Sequence, residues 1–156
     1  MALFPLRGRP KASYHEAPRA FGSARELGAR KHAGCDLYAP ARTEVLAVAD
    51  GRVIRGPYCF YAGVWAIDVE HPGIGVVRYG EISHTPNGVE FSVAVKAGQV
   101  IGYVGKMPGL PSMLHFELYA GTGTGPLTDR ERAPFMRRAD LIDPTEFLDA
   151  CELEAE

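Results

Sequence analysis

The chain has 156 residues, 46% of them hydrophobic and 23% charged, a length that suits one domain and buries a core without help from disulfides or a structural metal. Its formal charge of −2 gives no global pull toward nucleic acid or an anionic membrane surface. No apolar run approaches a membrane span and "MALFPLRGRPKASYHEAP" lacks the apolar centre of a secretory signal, so the sequence reads as cytoplasmic when made, or delivered to a periplasm or cell wall by lysis or a secretion system.

Eighteen glycines and twelve prolines punctuate short β-branched runs, the pattern of an all-β fold. Residues 1–20 read as an N-terminal arm, 21–149 as a single domain without repeats or linkers, and 150–156 as a C-terminal tail. Cys35, Cys59 and Cys151 are odd in number and spaced unlike a zinc motif. They read as reduced thiols, with a Cys35–Cys59 bridge left open. The pairs Arg130/Arg132 and Arg137/Arg138 read as solvated loop residues.

The first informative stretch is "RKHAGCDLYAP", residues 30–40. His32 and Asp36 are four apart, so an extended strand places both on one face, with Gly34 between them leaving space beneath. Taken alone, these two residues are better explained as a surface hydrogen-bonded pair. Cys35 alternates to the other face and is assigned to packing.

Next, "TEVLAVADGRVIRG" alternates and then offers Asp50-Gly51, a strong hairpin dipeptide. "GVWAIDVEH" and "GVVRYGEIS" flank Pro72-Gly73 and predict a hairpin over residues 64–83. "FSVAVKAGQVIGYVG" predicts two strands around a Lys96–Gln99 turn. Tyr38, Tyr61, Tyr79 and Trp65 are candidates for a groove, although aromatic residues in a small β domain usually enter the core.

The run "SMLHFELY", residues 112–119, closes the predicted sheet. Its alternation puts Met113, His115 and Glu117 on one side and Leu114, Phe116 and Leu118 on the other. A lone strand histidine is more often a hydrogen-bonded filler than a ligand. Together with His32 and Asp36, however, His115 completes two imidazoles and a carboxylate, a set that zinc accepts in tetrahedral sites that keep one position open. Glu117 would then be an acceptor for the far nitrogen of a ligand imidazole. Finally, "DPTEFLDACELEAE" predicts a short helix with Asp143 as N-cap, Pro144 at its first position and Glu146 completing a capping-box-like arrangement.

"FGSARELGARKHAGCDLYAPARTEVLAVADGRV" resembles the opening of the lysostaphin-type, LytM-like zinc metallopeptidases, which mostly cut peptidoglycan peptide bridges. The resemblance continues through "VVRYGEIS", "VKAGQVIGYVG", "LHFELY" and "LIDPTEFL", covering roughly residues 20–148. It implies an all-β fold, mainly an antiparallel sheet of the duplicated hybrid type forming a substrate groove, with a short C-terminal helix. It also implies one Zn2+ per chain held by His32, Asp36 and His115, a monomer, and a peptidoglycan peptide as partner.

The chain departs from the family at two positions that usually carry non-ligand histidines: Glu81, within "YGEIS", and Met113. The resemblance therefore implies an endopeptidase using zinc-bound water as nucleophile, with Glu81 as general base in place of an imidazole and Met113 as an apolar wall. His84, three residues beyond Glu81, is a further candidate acid or oxyanion donor, or else a solvated loop residue. The alternative is a catalytically inactive zinc-binding module that binds cell-wall peptide or regulates another hydrolase.

Overall fold

A computed structural model describes residues 1–61, 63–121 and 125–155. A two-stranded ribbon comes first, β1 (Ala24–Arg25) and β2 (Arg30–Lys31). There follow β3 (Cys35–Tyr38), β4 (Glu44–Leu46), β5 (Gly51–Tyr61), β6 (Val64–His71), β7 (Gly75–His84), β8 (Ala94–Val95), β9 (Val100–Val104), β10 (Met113–Tyr119) and β11 (Leu141–Ile142), all in one antiparallel nine-stranded sheet. Helix α1 spans Thr145–Ala150. The expected all-β architecture with a short C-terminal helix is what the chain adopts.

The predicted β6–β7 hairpin forms, with Ile67 opposite Tyr79 and Val69 opposite Val77. Asp50-Gly51 does not make a hairpin. The strand before it, β4, pairs with β9, and the strand after it, β5, pairs with β6 and β8. The dipeptide turns the chain locally without pairing the strands on either side of it. The Lys96–Gln99 turn is present, with the Lys96 N–H donating to Gln99 Oε1 at 2.9 Å, yet it too separates strands that pair elsewhere.

β10 does not close the sheet; it lies inside it, hydrogen-bonded to β3, β7 and β11. The alternation of its residues has the predicted consequence. Leu114, Phe116 and Leu118 enter the main core beside Ile67, Val77 and Tyr79, each worth roughly 1.5–3 kcal/mol on full burial. Met113, His115 and Glu117 are buried on the opposite face.

Both ends of the chain belong to this core. Phe4, Leu6 and Tyr14 of the N-terminal segment are buried against the main core. Helix α1 is short, as expected, but its N-cap is Pro144 rather than Asp143; after it Cys151 turns extended, and Glu152 pairs with Leu3 in an isolated bridge. Much of the predicted tail is thereby fixed, while Glu156 lies outside the described residues. The Asp143 carboxylate accepts from the Thr145 N–H at 2.9 Å and from its hydroxyl at 2.6 Å. All three cysteines are free thiols.

Candidate metal centre and its surroundings

The register of β3 against β10 builds the centre. Asp36 lies opposite His115, and His32, just ahead of β3, is held by its backbone N–H donating to the Ser23 carbonyl at 2.8 Å. Gly34 has a different task from the one its spacing suggested. A Cβ there would lie 2.3 Å from the carbonyl oxygen of Phe116, so glycine lets the chain pass tight against β10; it does not open space under two ligands.

Three donor atoms meet at one point. His32 Nε2 is 3.0 Å from Asp36 Oδ1, His115 Nδ1 is 2.9 Å from that same oxygen, and the two nitrogens are 3.2 Å apart. The far side of each ring is already occupied. His32 Nδ1 is 3.1 Å from the Ala20 carbonyl, and His115 Nε2 is 2.6 Å from Glu117 Oε2. A carbonyl and a carboxylate can only accept, so those ring nitrogens carry the hydrogens. In the neutral rings that a metal requires, the inward nitrogens present lone pairs, and both face a carboxylate oxygen; with a proton in the metal's place, the same nitrogens donate to Asp36. Three acceptors this close repel one another unless a cation or proton sits among them.

The residues thus fit a zinc ion. Ligand distances of about 2.0–2.2 Å in a tetrahedron imply donor-to-donor edges of roughly 3.3–3.6 Å, a few tenths of an ångström longer than the 2.9–3.2 Å separations observed. His32, Asp36 and His115 are the group of metal-capable side chains that converges among the described residues.

The electrostatics follow from these contacts. Burial works to raise the Asp36 carboxyl, but the hydrogen bonds from His115 and His32 outweigh it and hold the pKa at about 2. Burial likewise works to lower His115, while Asp36 and Glu117 on either side push it up to about 10. His32 is lowered, chiefly by burial.

Glu117, predicted as an acceptor for a ligand imidazole, sits in that place with a larger escort than the sequence suggested. Fully buried, it also accepts from Arg78 Nη1 at 3.2 Å, from Arg137 Nε and Nη2 at 3.0 Å, and from the Tyr119 hydroxyl. Burial would raise its pKa, but Arg78 and His115, with Arg137, hold it well below the usual carboxylate range. Arg137 is therefore no solvated loop residue. Its place in the centre was not visible in sequence; a basic residue in the middle of an apolar strand, as in "VVRYG", was the available hint for Arg78.

A cleft of about 250 Å³ opens over the three donors, and Glu81, Met113, Tyr38 and Tyr61 are among its walls. Glu81 has a left-handed backbone, φ 61°. It falls where β7 leaves its pairing with β10 at Gly80 and takes up β9 at Ile82. A non-glycine residue in that conformation costs of order 1–3 kcal/mol, and here the irregularity faces a carboxyl into the cleft. Burial raises that carboxyl to about 7, opposed by His115 and assisted by Asp36. Met113, 8% exposed, lies on the same face of β10 as His115.

His84 is not brought to the cleft. Its ring stacks on Tyr103 with centroids 4.6 Å apart, and its Nδ1 is 2.8 Å from the Ser83 hydroxyl. Tyr79 belongs to the core, whereas Tyr61 and Trp65 are more than two-fifths exposed.

With a buried two-histidine, one-aspartate centre on a sheet of this topology, comparison becomes decisive: residues 30–126 match peptidase family M23. The chain belongs to family M23. M23 is a family of zinc metallopeptidases. Among solved structures the chain resembles LytU, with 25% identity and a TM-score of 0.63 over 91% of this chain and 92% of that one. The catalytic domain of the antimicrobial peptidase lysostaphin from Staphylococcus simulans is also similar, with 23% identity and a TM-score of 0.63 over 83% and 89% of the two chains. So is a zinc-containing peptidase from Vibrio cholerae, at 21% identity and a TM-score of 0.55, matching 100% of this chain and 40% of that one. Against full-length lysostaphin the match spans 56% of that protein. A search of curated proteins returns no match. No helix among the described residues is long and apolar enough to cross a membrane.

Proposed function

We propose that this M23 protein is a zinc endopeptidase acting on the peptide part of peptidoglycan, with His32, Asp36 and His115 holding one zinc ion and Glu81 serving as general base. The observation that carries the reading is the convergence of three lone-pair donors beneath a cleft that also receives a buried carboxyl of raised pKa. When bound, zinc supplies Lewis-acid polarisation of the scissile carbonyl and of the attacking water.

The remaining tasks fall to the chain's own side chains. Glu117, clamped by Arg78 and Arg137, fixes the ring of His115 and its tautomer. Glu81 takes a proton from the attacking water and is suited to it by a pKa near neutrality, where a base is both ionised and still basic. Met113 supplies an apolar wall that limits water at the reacting carbonyl.

A second reading, an inactive module that binds cell-wall peptide or regulates another hydrolase, draws on one observation. His32 and His115 are the imidazoles of the cleft among the described residues, and both are spent as ligands. Zinc-loaded protein incubated with purified cell-wall sacculi, followed by mass spectrometry of released muropeptides, decides between the two. New peptide termini support the peptidase. Sacculi that bind the protein but stay intact support the module.

A further inference from the structure

Beside the cleft lies a second recess of about 530 Å³, and the two share Arg30, Tyr61 and Arg137 as walls. Five arginines line it: Arg30, Arg55, Arg78, Arg130 and Arg137. Against them stand Glu26 in the wall, Glu117 bonded behind Arg78 and Arg137, and Asp68, whose Oδ1 is 3.7 Å from Arg78 Nε. Five guanidiniums against three carboxylates leave an excess of two positive charges in a local pocket of a chain whose formal net charge is −2.

The arginines divide by how they are held. Arg78 and Arg137 are buried and spend their donors on Glu117, on the Tyr58 and Thr128 hydroxyls and on the Met136 carbonyl. They form a charged floor that cannot move away. Arg55 and Arg130 are exposed at the rim and make no ion pair with a carboxylate among the described residues. Arg55 lies over the Tyr58 ring at 4.7 Å and feels Asp68 only at longer range. Arg30 reaches Glu26 at 3.5 Å, a carboxylate that is itself 66% exposed. Guanidiniums with free donors at the edge of a pocket, one of them pre-positioned over an aromatic ring, are arranged for an anion.

We infer that this arginine-lined recess is a substrate subsite that binds a carboxylate carried by the peptide within a residue or two of the bond cleaved, with Arg55 and Arg130 as its specificity-determining contacts. The inference rests on the peptidase reading for the identity of the ligand. Because the recess shares walls with the cleft, its occupant must be covalently close to the scissile bond, and in a peptide the anion at that distance is a carboxylate. The aromatic residues Tyr58, Phe60 and Tyr61 along β5 supply apolar contact for the stem that carries it.

The test uses two synthetic stem peptides, L-Ala-γ-D-Glu-L-Lys-D-Ala with its C-terminus amidated, that differ only in whether the glutamyl α-carboxyl is free or a carboxamide. Their binding to zinc-loaded protein is measured by titration calorimetry, for the parent chain and for the double variant Arg55→Gln, Arg130→Gln. Both side chains are exposed, and circular dichroism checks that the variant is folded. The free acid should bind the parent about tenfold more tightly or better, the scale of a charge-assisted contact. In the double variant that preference should fall to about threefold or less. Equal binding of the two peptides, binding of neither, or a preference that survives the double substitution overturns the subsite. Digestion of sacculi judges the peptidase reading separately: a carboxylate preference without any digestion keeps the subsite and removes the hydrolysis.

Discussion

His115 and Glu117 stand two residues apart on one strand, and their side chains meet at 2.6 Å, Nε2 to Oε2, with no exposed surface on the carboxylate. The contact turns the other ring nitrogen of His115 toward Asp36. Its neutral replacement, Glu117→Gln, keeps the shape but removes the charge that holds the tautomer and that neutralises two buried guanidiniums. Zinc affinity should drop about 10- to 100-fold by competition with a chromogenic chelator. Stability should fall by about 3 kcal/mol in denaturant titration, because Arg78 and Arg137 lose their shared partner.

Glu81→Gln tests the base directly. The amide fills the same space but cannot take a proton, so zinc content by elemental analysis should stay near one per chain while turnover on cell wall falls roughly 10²- to 10⁴-fold. The loss should appear in kcat with KM little changed. Unchanged hydrolysis would remove Glu81 from the reaction.

Met113 lines the cleft, and by the chain's resemblance to its family this position would carry an imidazole. Met113→His restores a donor beside the reacting carbonyl, a contact worth about 2.7–4 kcal/mol where such donors have been removed elsewhere. Activity should rise with zinc stoichiometry unaltered. Lower activity at constant zinc content would mean the cleft is adapted to methionine and uses it for substrate packing.

His71 gives a pH dependence remote from the metal centre. It is 1% exposed, with Nδ1 3.1 Å from the Asp50 carbonyl and Nε2 2.9 Å from the Tyr79 hydroxyl. That hydroxyl also accepts from the Val48 N–H at 3.1 Å, and in a neutral His71 the Nε2 lone pair is free to take the hydroxyl's own hydrogen. Burial lowers its pKa from 6.5. The unfolded chain therefore takes up a proton at a pH where the folded one does not, and stability is lost as pH falls below about 6.5 toward the folded value. Urea midpoints at about pH 7.5 and pH 5 should show a larger loss for the parent than for His71→Gln, which cannot titrate.

The parts of the centre that were legible in sequence are those set by local alternation. A strand has a period of two, so "SMLHFELY" sorts core from site without any knowledge of its neighbours. Pairing is another matter. Nothing near Asp50-Gly51 states that β4 prefers β9, because that partner lies some fifty residues later. Arg137 stayed hidden for the same reason: its partner is twenty residues away, on a strand whose charged face becomes visible only when assembled. Glu81 was found by resemblance, but its left-handed backbone arises from a change of strand partner that no local pattern encodes.

The close passage of Gly34 beneath the Phe116 carbonyl also sets a gauge. With the two backbones in contact there, Asp36 and His115 cannot draw apart without separating β3 from β10. The donor triangle, with edges of 2.9 to 3.2 Å, is therefore set by main chain as much as by rotamers. Calcium, with ligand distances of about 2.3–2.6 Å and a demand for six or more oxygens, is too large and too hungry for such a seat. Discrimination by ionic size would then be a property of the sheet, and calcium in large excess should not displace zinc from this protein in a competition titration.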